Sequence, residues 1–164
     1  MTTNSFDVSH FEVISENIKR INYEISEAAI KSNRTPEDVR LMAVTKTVCA
    51  EYINYAIDHC GIDLIGENKV QEFLLKRDLL HLEGVEKHLI GHLQTNKVKK
   101  IVDQVDMIQS VDSLRVAQSI SNEAVKGDFE AKVLLEINIG EEESKTGFDK
   151  VLFEESLIEI SNLP

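Results

Sequence analysis

Short apolar runs alternating with segments of helical period restrict this chain more than any other feature. The runs are Leu41-Met42-Ala43-Val44, Ile62 to Ile65, His88-Leu89-Ile90, Met107-Ile108-Gln109-Ser110 and Lys132 to Asn138, each read as a β-strand. Strands apolar at consecutive positions are covered on both faces, as in a parallel sheet. Parallel neighbours require a crossover, and a helix supplies it with right-handed sense. The chain is therefore expected to be α/β, built from about five βα units.

The helical segments have the spacing this requires. Phe11, Ile14, Ile18, Ile21, Ile25 and Ala28 recur at steps of three and four and outline an amphipathic helix from Ser9 to near Ser32. Asn33 to Asp38 is a turn, with Thr35 as cap and Pro36 at the first position of a short helical turn. Glu51 to His59 turns Ile53, Ala56 and Ile57 inward and stops at Gly61. Val70, Phe73, Leu74 and Leu80 mark the next helix, and Gly84 breaks the chain before the third strand. Asn96 to Val102 is short; Asp112 or Ser113 caps a helix through Val125 with Val116, Ala117, Ile120 and Ala124 inside. Val151 to Ile160 closes the series, with Leu152, Phe153, Leu157, Ile158 and Ile160 as apolar positions.

Two architectures share this alternation. A doubly wound sheet of the flavodoxin type closes with five strands. A (β/α)8 TIM-type barrel takes about 250 residues, so a chain of 164 would carry only part of it. Periodicity alone leans slightly to the doubly wound sheet. Residues 1–164 are read as one domain, with residues 1–10, largely polar and without an apolar core, as a disordered tail.

A net charge of −11 argues against a nucleic-acid binder, because phosphate backbones are held by Lys and Arg. No apolar stretch approaches the roughly 20 residues of a membrane span, and no signal-peptide core is present. Cys49 and Cys60 form no Cys-x-x-Cys, and the histidines are not clustered, so neither a disulfide framework nor a metal site is expected. These readings place the protein in the cytoplasm.

Polar residues at the strand ends go beyond what the fold requires. Thr45-Lys46-Thr47 ends the first strand, Gly66-Glu67-Asn68 the second, Gly91 to Lys97 follows the third, and Asn138 ends the fifth. In α/β folds ligands collect beyond the carboxyl ends of the strands. Partial burial of a lysine there disfavours its ammonium form, freeing an amine that condenses with an aldehyde. The plainer reading of Lys46 is a strand-end side chain reaching solvent or a carboxylate.

The order of these segments resembles the pyridoxal phosphate homeostasis protein family, whose fold is similar to the N-terminal barrel of alanine racemase. The resemblance is carried by Ala43-Val44-Thr45-Lys46-Thr47, by Gly66 to Glu72, by His88 to Lys97, and by Ile137-Asn138 followed by Glu143, Lys145 and Gly147. It implies the barrel architecture, with Lys46 holding pyridoxal 5′-phosphate as a Schiff base at the barrel mouth. Departures are Val48, where many relatives have a second lysine, and His92, where proline is common. The family's later Ser-x-Gly-Met-Ser and Arg-Ile-Gly segments, which hold the phosphate, do not occur before Pro164. The chain is thus expected to be truncated, to bind the cofactor weakly without those charge-assisted contacts, and to self-associate through its open sheet edges.

Other candidates keep two readings each. Asn68 lines the ring face of the cofactor, as the resemblance suggests, or caps the following helix. Asn138 lies near the cofactor or only ends its strand. His88 is expected to be a core histidine, and Lys97, Lys99 and Lys100 a solvated helix face. Lys145 is expected to pair with Glu141, Glu142 or Glu143. The resemblance implies a non-catalytic carrier of pyridoxal phosphate, with pyridoxal-phosphate-dependent apoenzymes as partners. An amino-acid racemase is the alternative, and it needs a second proton acceptor opposite the lysine. A receiver-like signalling domain fits poorly, because the first strand ends in lysine rather than acidic residues.

Overall fold

The computed structural model describes residue 7 and residues 9–140, 146–151 and 153–164. Glu141, Glu142, Glu143, Lys145 and Leu152 lie outside the described residues. Along the chain run α1 (Ser9–Lys31), β1 (Ala43–Val44), α2 (Ala50–Cys60), β2 (Leu64–Glu67), α3 (Val70–Lys76) and β3 (Glu86–Leu89). Then come α4 (Val98–Ile101), β4 (Met107–Val111), α5 (Leu114–Gly127), β5 (Val133–Leu135) and α6 (Phe153–Ser161). Single 3-10 turns precede β1 at Pro36–Asp38, extend α3 at Arg77–Leu79 and lead into α4 at Thr95–Lys97.

Strand order decides between the two architectures. The five strands pair in parallel in the order β1-β2-β3-β4-β5, each beside its predecessor in sequence. A flavodoxin-type sheet would place β2 at the edge and β1 inside. With every crossover right-handed and every step in one direction, the helices all fall on one face. That is the winding of a (β/α)8 barrel, here with five strands described.

The two faces of the sheet differ accordingly. Ala43 and Ile65 pack with Ile14, Ile18, Ala56 and Ile57 from α1 and α2. Leu89, Ile108, Val133 and Leu135 pack with Val70, Phe73, Ile101, Val116, Ala117 and Ile120 from α3 to α5. Side chains alternate across a strand, so Val44, Gly66, His88, Gln109 and Leu134 face the other way, into the barrel interior. Val44 remains 47% exposed there. A Cβ at Gly66 would lie 2.5 Å from Met42 Sδ and 3.1 Å from Ile90 Cδ1, so a side chain there would require Met42 to shift. Those two residues form an apolar floor over the second strand.

Near the amino ends of the strands the interior is polar. His88 is 6% exposed, with Nε2 2.8 Å from Glu86 Oε1 and Nδ1 2.7 Å from the Gln109 amide nitrogen. Arg40, just before β1, donates to the other Glu86 oxygen and also to Asp63. His88 is therefore the satisfied core histidine expected, and the network ties β1 to β2, β3 and β4.

Several boundaries shift for identifiable reasons. β2 and β3 hold the charged residues Glu67, Glu86 and Lys87, each with an ionic partner, so charge does not end these strands. β5 is shorter than the apolar run from Lys132 to Asn138, although the Glu136 amide still donates to the Val111 carbonyl. α1 begins at Ser9, and Tyr52 hydroxyl contacts both the Asp7 amide and its carbonyl, so the expected tail does not reach residue 10. On α1 the buried alanine is Ala29, and Ala28 is exposed; the step from Ile25 is four residues, not three. On α6, Leu157 and Ile158 are exposed, and Ile160 joins the core with Leu163. Gly61 adopts φ 72° and ends α2 as expected, and Ser113 is the N-cap of α5.

Candidate functional site at the carboxyl ends of the strands

Lys46 lies in the turn directly after β1, and its side chain is exposed. The burial expected for it is absent, because the strand ends two residues earlier and Lys46 lies in the exposed turn that follows. Ala43 and Thr45 lie on the helix side, and Lys46 follows them in the turn beyond the strand end. Asn68 directly follows the adjacent strand β2, level with Lys46 in the parallel register of Val44 with Gly66. Asn68 is half-buried, and no hydrogen bond to its carboxamide is formed among the described residues. It does not cap α3: the N-cap is Lys69, with no side-chain cap bond.

Gly91 fixes how closely the ends of β2 and β3 approach. A Cβ at Gly91 would lie 2.3 Å from the Asn68 carbonyl oxygen and 2.9 Å from its Cα. The missing side chain thus lets the β3 end pack on the backbone that carries Asn68. Ser110 hydroxyl donates to the Gly91 carbonyl at 2.6 Å, extending the contact to β4. His92 Nδ1 is 2.7 Å from Asp112 Oδ2, an exposed imidazole on a buried carboxylate at the same rim.

Asn138 follows β5 at the other edge of the sheet from Lys46. Its amide donates to the Phe148 carbonyl at 3.0 Å. Lys46 and Asn68 are therefore brought together on neighbouring strands, whereas Asn138 shares their rim but not their edge. Lys99 and Lys100 are exposed and Lys97 half-buried, as a solvated helix face requires.

Beneath the Lys46 turn, on the helix side, lies a cluster that sequence reasoning did not assign. Glu67, Lys76 and Glu72 have side-chain exposures of 3%, 16% and 21%. Lys76 Nζ is 2.5 Å from Glu72 Oε1 and 3.5 Å from Glu67 Oε2, and it donates to the Thr45 carbonyl at 3.0 Å. Thr45 hydroxyl donates to Glu67 Oε2 at 3.1 Å, and the Asn68 amide to Glu67 Oε1 at 2.8 Å. The Thr47 amide donates to Glu72 Oε1 at 2.5 Å. The Lys76 ammonium, helped by that amide, holds the Glu72 carboxyl below its ordinary range despite burial. Thr47 has φ 62°, a left-handed backbone that is rare for a β-branched residue. Glu67 and Glu72 stand in the Gly66 to Glu72 segment; Lys76, four residues beyond Glu72, is the helical step that signals the pair.

The arrangement suits a small carbonyl compound. It offers an accessible primary amine, a carboxamide with free valences beside it, and the apolar floor of Met42 and Ile90. Among the described residues no group of three or more His, Cys, Asp or Glu could hold a metal. No described helix is long and apolar enough to cross a membrane, and Cys49 and Cys60 are free thiols at opposite ends of α2.

A parallel sheet wound in one direction, with a lysine at the carboxyl end of its first strand, defines a class: barrels that carry their chemistry at the strand ends. The chain belongs to the alanine racemase N-terminal domain family, whose sequence profile matches residues 17–164. A pyridoxal phosphate homeostasis protein of Aquifex aeolicus is 38% identical over 146 residues, covering 87% of this chain and 64% of the relative. The chain thus spans a little under two thirds of the length of such curated relatives. Among solved structures, a protein from Bifidobacterium adolescentis superposes with a TM-score of 0.87 at 35% identity, covering 96% of this chain and 68% of the other. The PipY protein of Synechococcus elongatus, solved with pyridoxal phosphate bound, matches with a TM-score of 0.71 at 32% identity, covering 85% of this chain and 65% of PipY.

Proposed function

We propose that this chain binds pyridoxal 5′-phosphate through Lys46 and serves intracellular pyridoxal phosphate homeostasis, holding the cofactor without turnover of its own. The observation that carries the reading is the exposed Lys46 amine in the turn after β1, with Asn68 at the matching position after the paired strand β2 and its side-chain carboxamide without a hydrogen bond among the described residues. The names of the relatives point the same way, as does the cofactor bound in PipY. When bound, the cofactor supplies an aldehyde that an uncharged amine captures covalently. Lys46 is the residue that captures it. Asn68 donates or accepts a hydrogen bond at the ring, and Asn138 closes the site from the far side of the rim. Cytoplasmic apoenzymes that need the cofactor are the partners this role calls for. A racemase would have to present a second proton acceptor opposite Lys46. Among the described residues, nothing in the geometry of the rim favours that alternative over a carrier.

The test is to mix the purified protein with pyridoxal phosphate, reduce with borohydride and map the modified lysines by peptide mass spectrometry. Lys46 should be labelled in preference to the exposed helical lysines Lys31 and Lys126, with a visible absorption band that is absent from Lys46→Ala. Labelling spread evenly over all exposed lysines would refute the assignment. Turnover of an amino-acid enantiomer by the loaded protein would instead favour the racemase.

A further inference from the structure

The two peptide groups flanking Lys46 are both held by one pair of side chains on α3. The carbonyl of the peptide before Lys46, on Thr45, accepts from Lys76 Nζ at 3.0 Å. The amide of the peptide after it, on Thr47, donates to Glu72 Oε1 at 2.5 Å. Glu72 and Lys76 are themselves paired at 2.5 Å, one helical turn apart. Because each peptide unit is planar, pinning both leaves Lys46 little freedom in φ or ψ. We infer that the Glu72–Lys76 pair is a clamp that sets the backbone of Lys46 and so aims its amine over the interior floor. Both are positioning residues, and the inference rests on the cofactor reading of Lys46.

An ordinary surface pair one turn apart would explain neither the burial nor the contacts that leave the helix. Taking charged groups out of water is unfavourable unless each finds partners, and apolar residues of similar size would pack α3 on β2 at least as well. Here the partners are the backbone of one turn, together with Glu67, which also holds the Asn68 amide. Thr47 adds a second, independent sign. Its φ of 62° is unfavourable for a branched side chain and persists where the surroundings impose it. Glu72 imposes it. Cluster and strained residue both adjoin Lys46, the exposed lysine in the turn that ends the first strand.

The experiment repeats borohydride trapping with pyridoxal phosphate on wild type, Glu72→Ala, Glu72→Gln and Lys76→Arg, with labelling of Lys46 read relative to Lys31. It is paired with hydrogen exchange of the Thr47 amide and a thermal melt. A displaced reacting group costs on the order of tenfold to a hundredfold in rate. Glu72→Ala should therefore lose at least about tenfold of the Lys46 preference while Lys31 labelling stays constant. Lys76→Arg, which keeps the charge and donors, should retain most of it, and Glu72→Gln, which keeps an acceptor for the Thr47 amide, should fall between. If Glu72→Ala does not fold, the ranking of Glu72→Gln against Lys76→Arg decides. Wild-type preference for Lys46 that survives in every folded variant overturns the clamp and leaves the cofactor reading standing. Absence of preference in wild type overturns the cofactor reading and the positioning role with it. Slow Thr47 exchange that quickens in Glu72→Gln would then show a clamp formed with no cofactor to serve.

Discussion

Replacing Gly91 by alanine measures how tightly the ends of β2 and β3 are drawn together beneath the candidate site. The new Cβ would fall 2.3 Å from the Asn68 carbonyl oxygen and 2.9 Å from both its carbonyl carbon and Cα. All three atoms are backbone just beyond the paired ends of β2 and β3, so relief requires those ends to separate. Overpacking costs about 1–3 kcal/mol, and a clash with backbone belongs in the upper part of that range. Against it stands a gain of about 0.4–1 kcal/mol from the stiffer unfolded chain, leaving a net loss of about 1–2 kcal/mol. Gly66→Ala is the internal control. There the close atom is Met42 Sδ, the mobile part of a flexible side chain, with Ile90 methyls at 3.1 and 3.3 Å, so the two terms nearly cancel. Urea unfolding should give a lower midpoint for Gly91→Ala with an unchanged slope, and a midpoint for Gly66→Ala close to wild type. In a thermal melt the difference corresponds to about 2–4 °C per kcal/mol for a domain of this size. Equal stability of the two variants, or the reverse order, would refute the reasoning.

Acid should loosen the barrel floor through Glu86. Arg40, and then His88, hold its carboxyl down to about 2 from 4.5. A depressed carboxylate stabilises the fold above its unfolded value and ceases to do so as the proton returns. That contribution is complete above pH 4.5 and drains away between 4.5 and about 2; urea melts across this window should slope for wild type and flatten for Glu86→Gln, and parallel curves would contradict it. At Thr47, glycine removes a left-handed penalty of about 1–2 kcal/mol and adds about 0.5–1 kcal/mol of unfolded-chain entropy. Thr47→Gly should therefore melt at or slightly above wild type, and a loss greater than 1 kcal/mol would mean that the backbone there is not strained.

Periodicity located the helices well, because an inward stripe such as Val116, Ala117, Ile120 and Ala124 must be apolar whatever the helix packs against. It located strands less sharply. Glu67 and Glu86 sit inside strands only because Lys76 and Arg40 reach them from elsewhere in the chain, and no local pattern announces a distant partner. Doubly wound sheet and barrel were inseparable by alternation, since both wind helices between parallel strands. The residues at the strand ends carried that choice, and the strand order confirmed it. Lys46 and Asn68 stand out in the sequence because polar residues at two successive strand ends have no role in the core. The exposure of Lys46 was not, because strand length sets it, and β1 stops at Val44.

Among the described residues β1 pairs with a single neighbour, β2, and is two residues long. Backbone ladder bonds alone would leave such a strand free to fray. Besides the packing of Ala43 against α1 and α2, it is held at its two ends by side chains, Arg40 below, reaching Asp63 and Glu86, and the Glu72–Lys76 pair above. The segment carrying Lys46 is thus splinted by charge, and charge responds to salt and acid where apolar packing does not. The grip on the lysine can loosen while the core of α3 to α5 stays intact, so that its reactivity and the stability of the fold become separately adjustable properties of one small sheet.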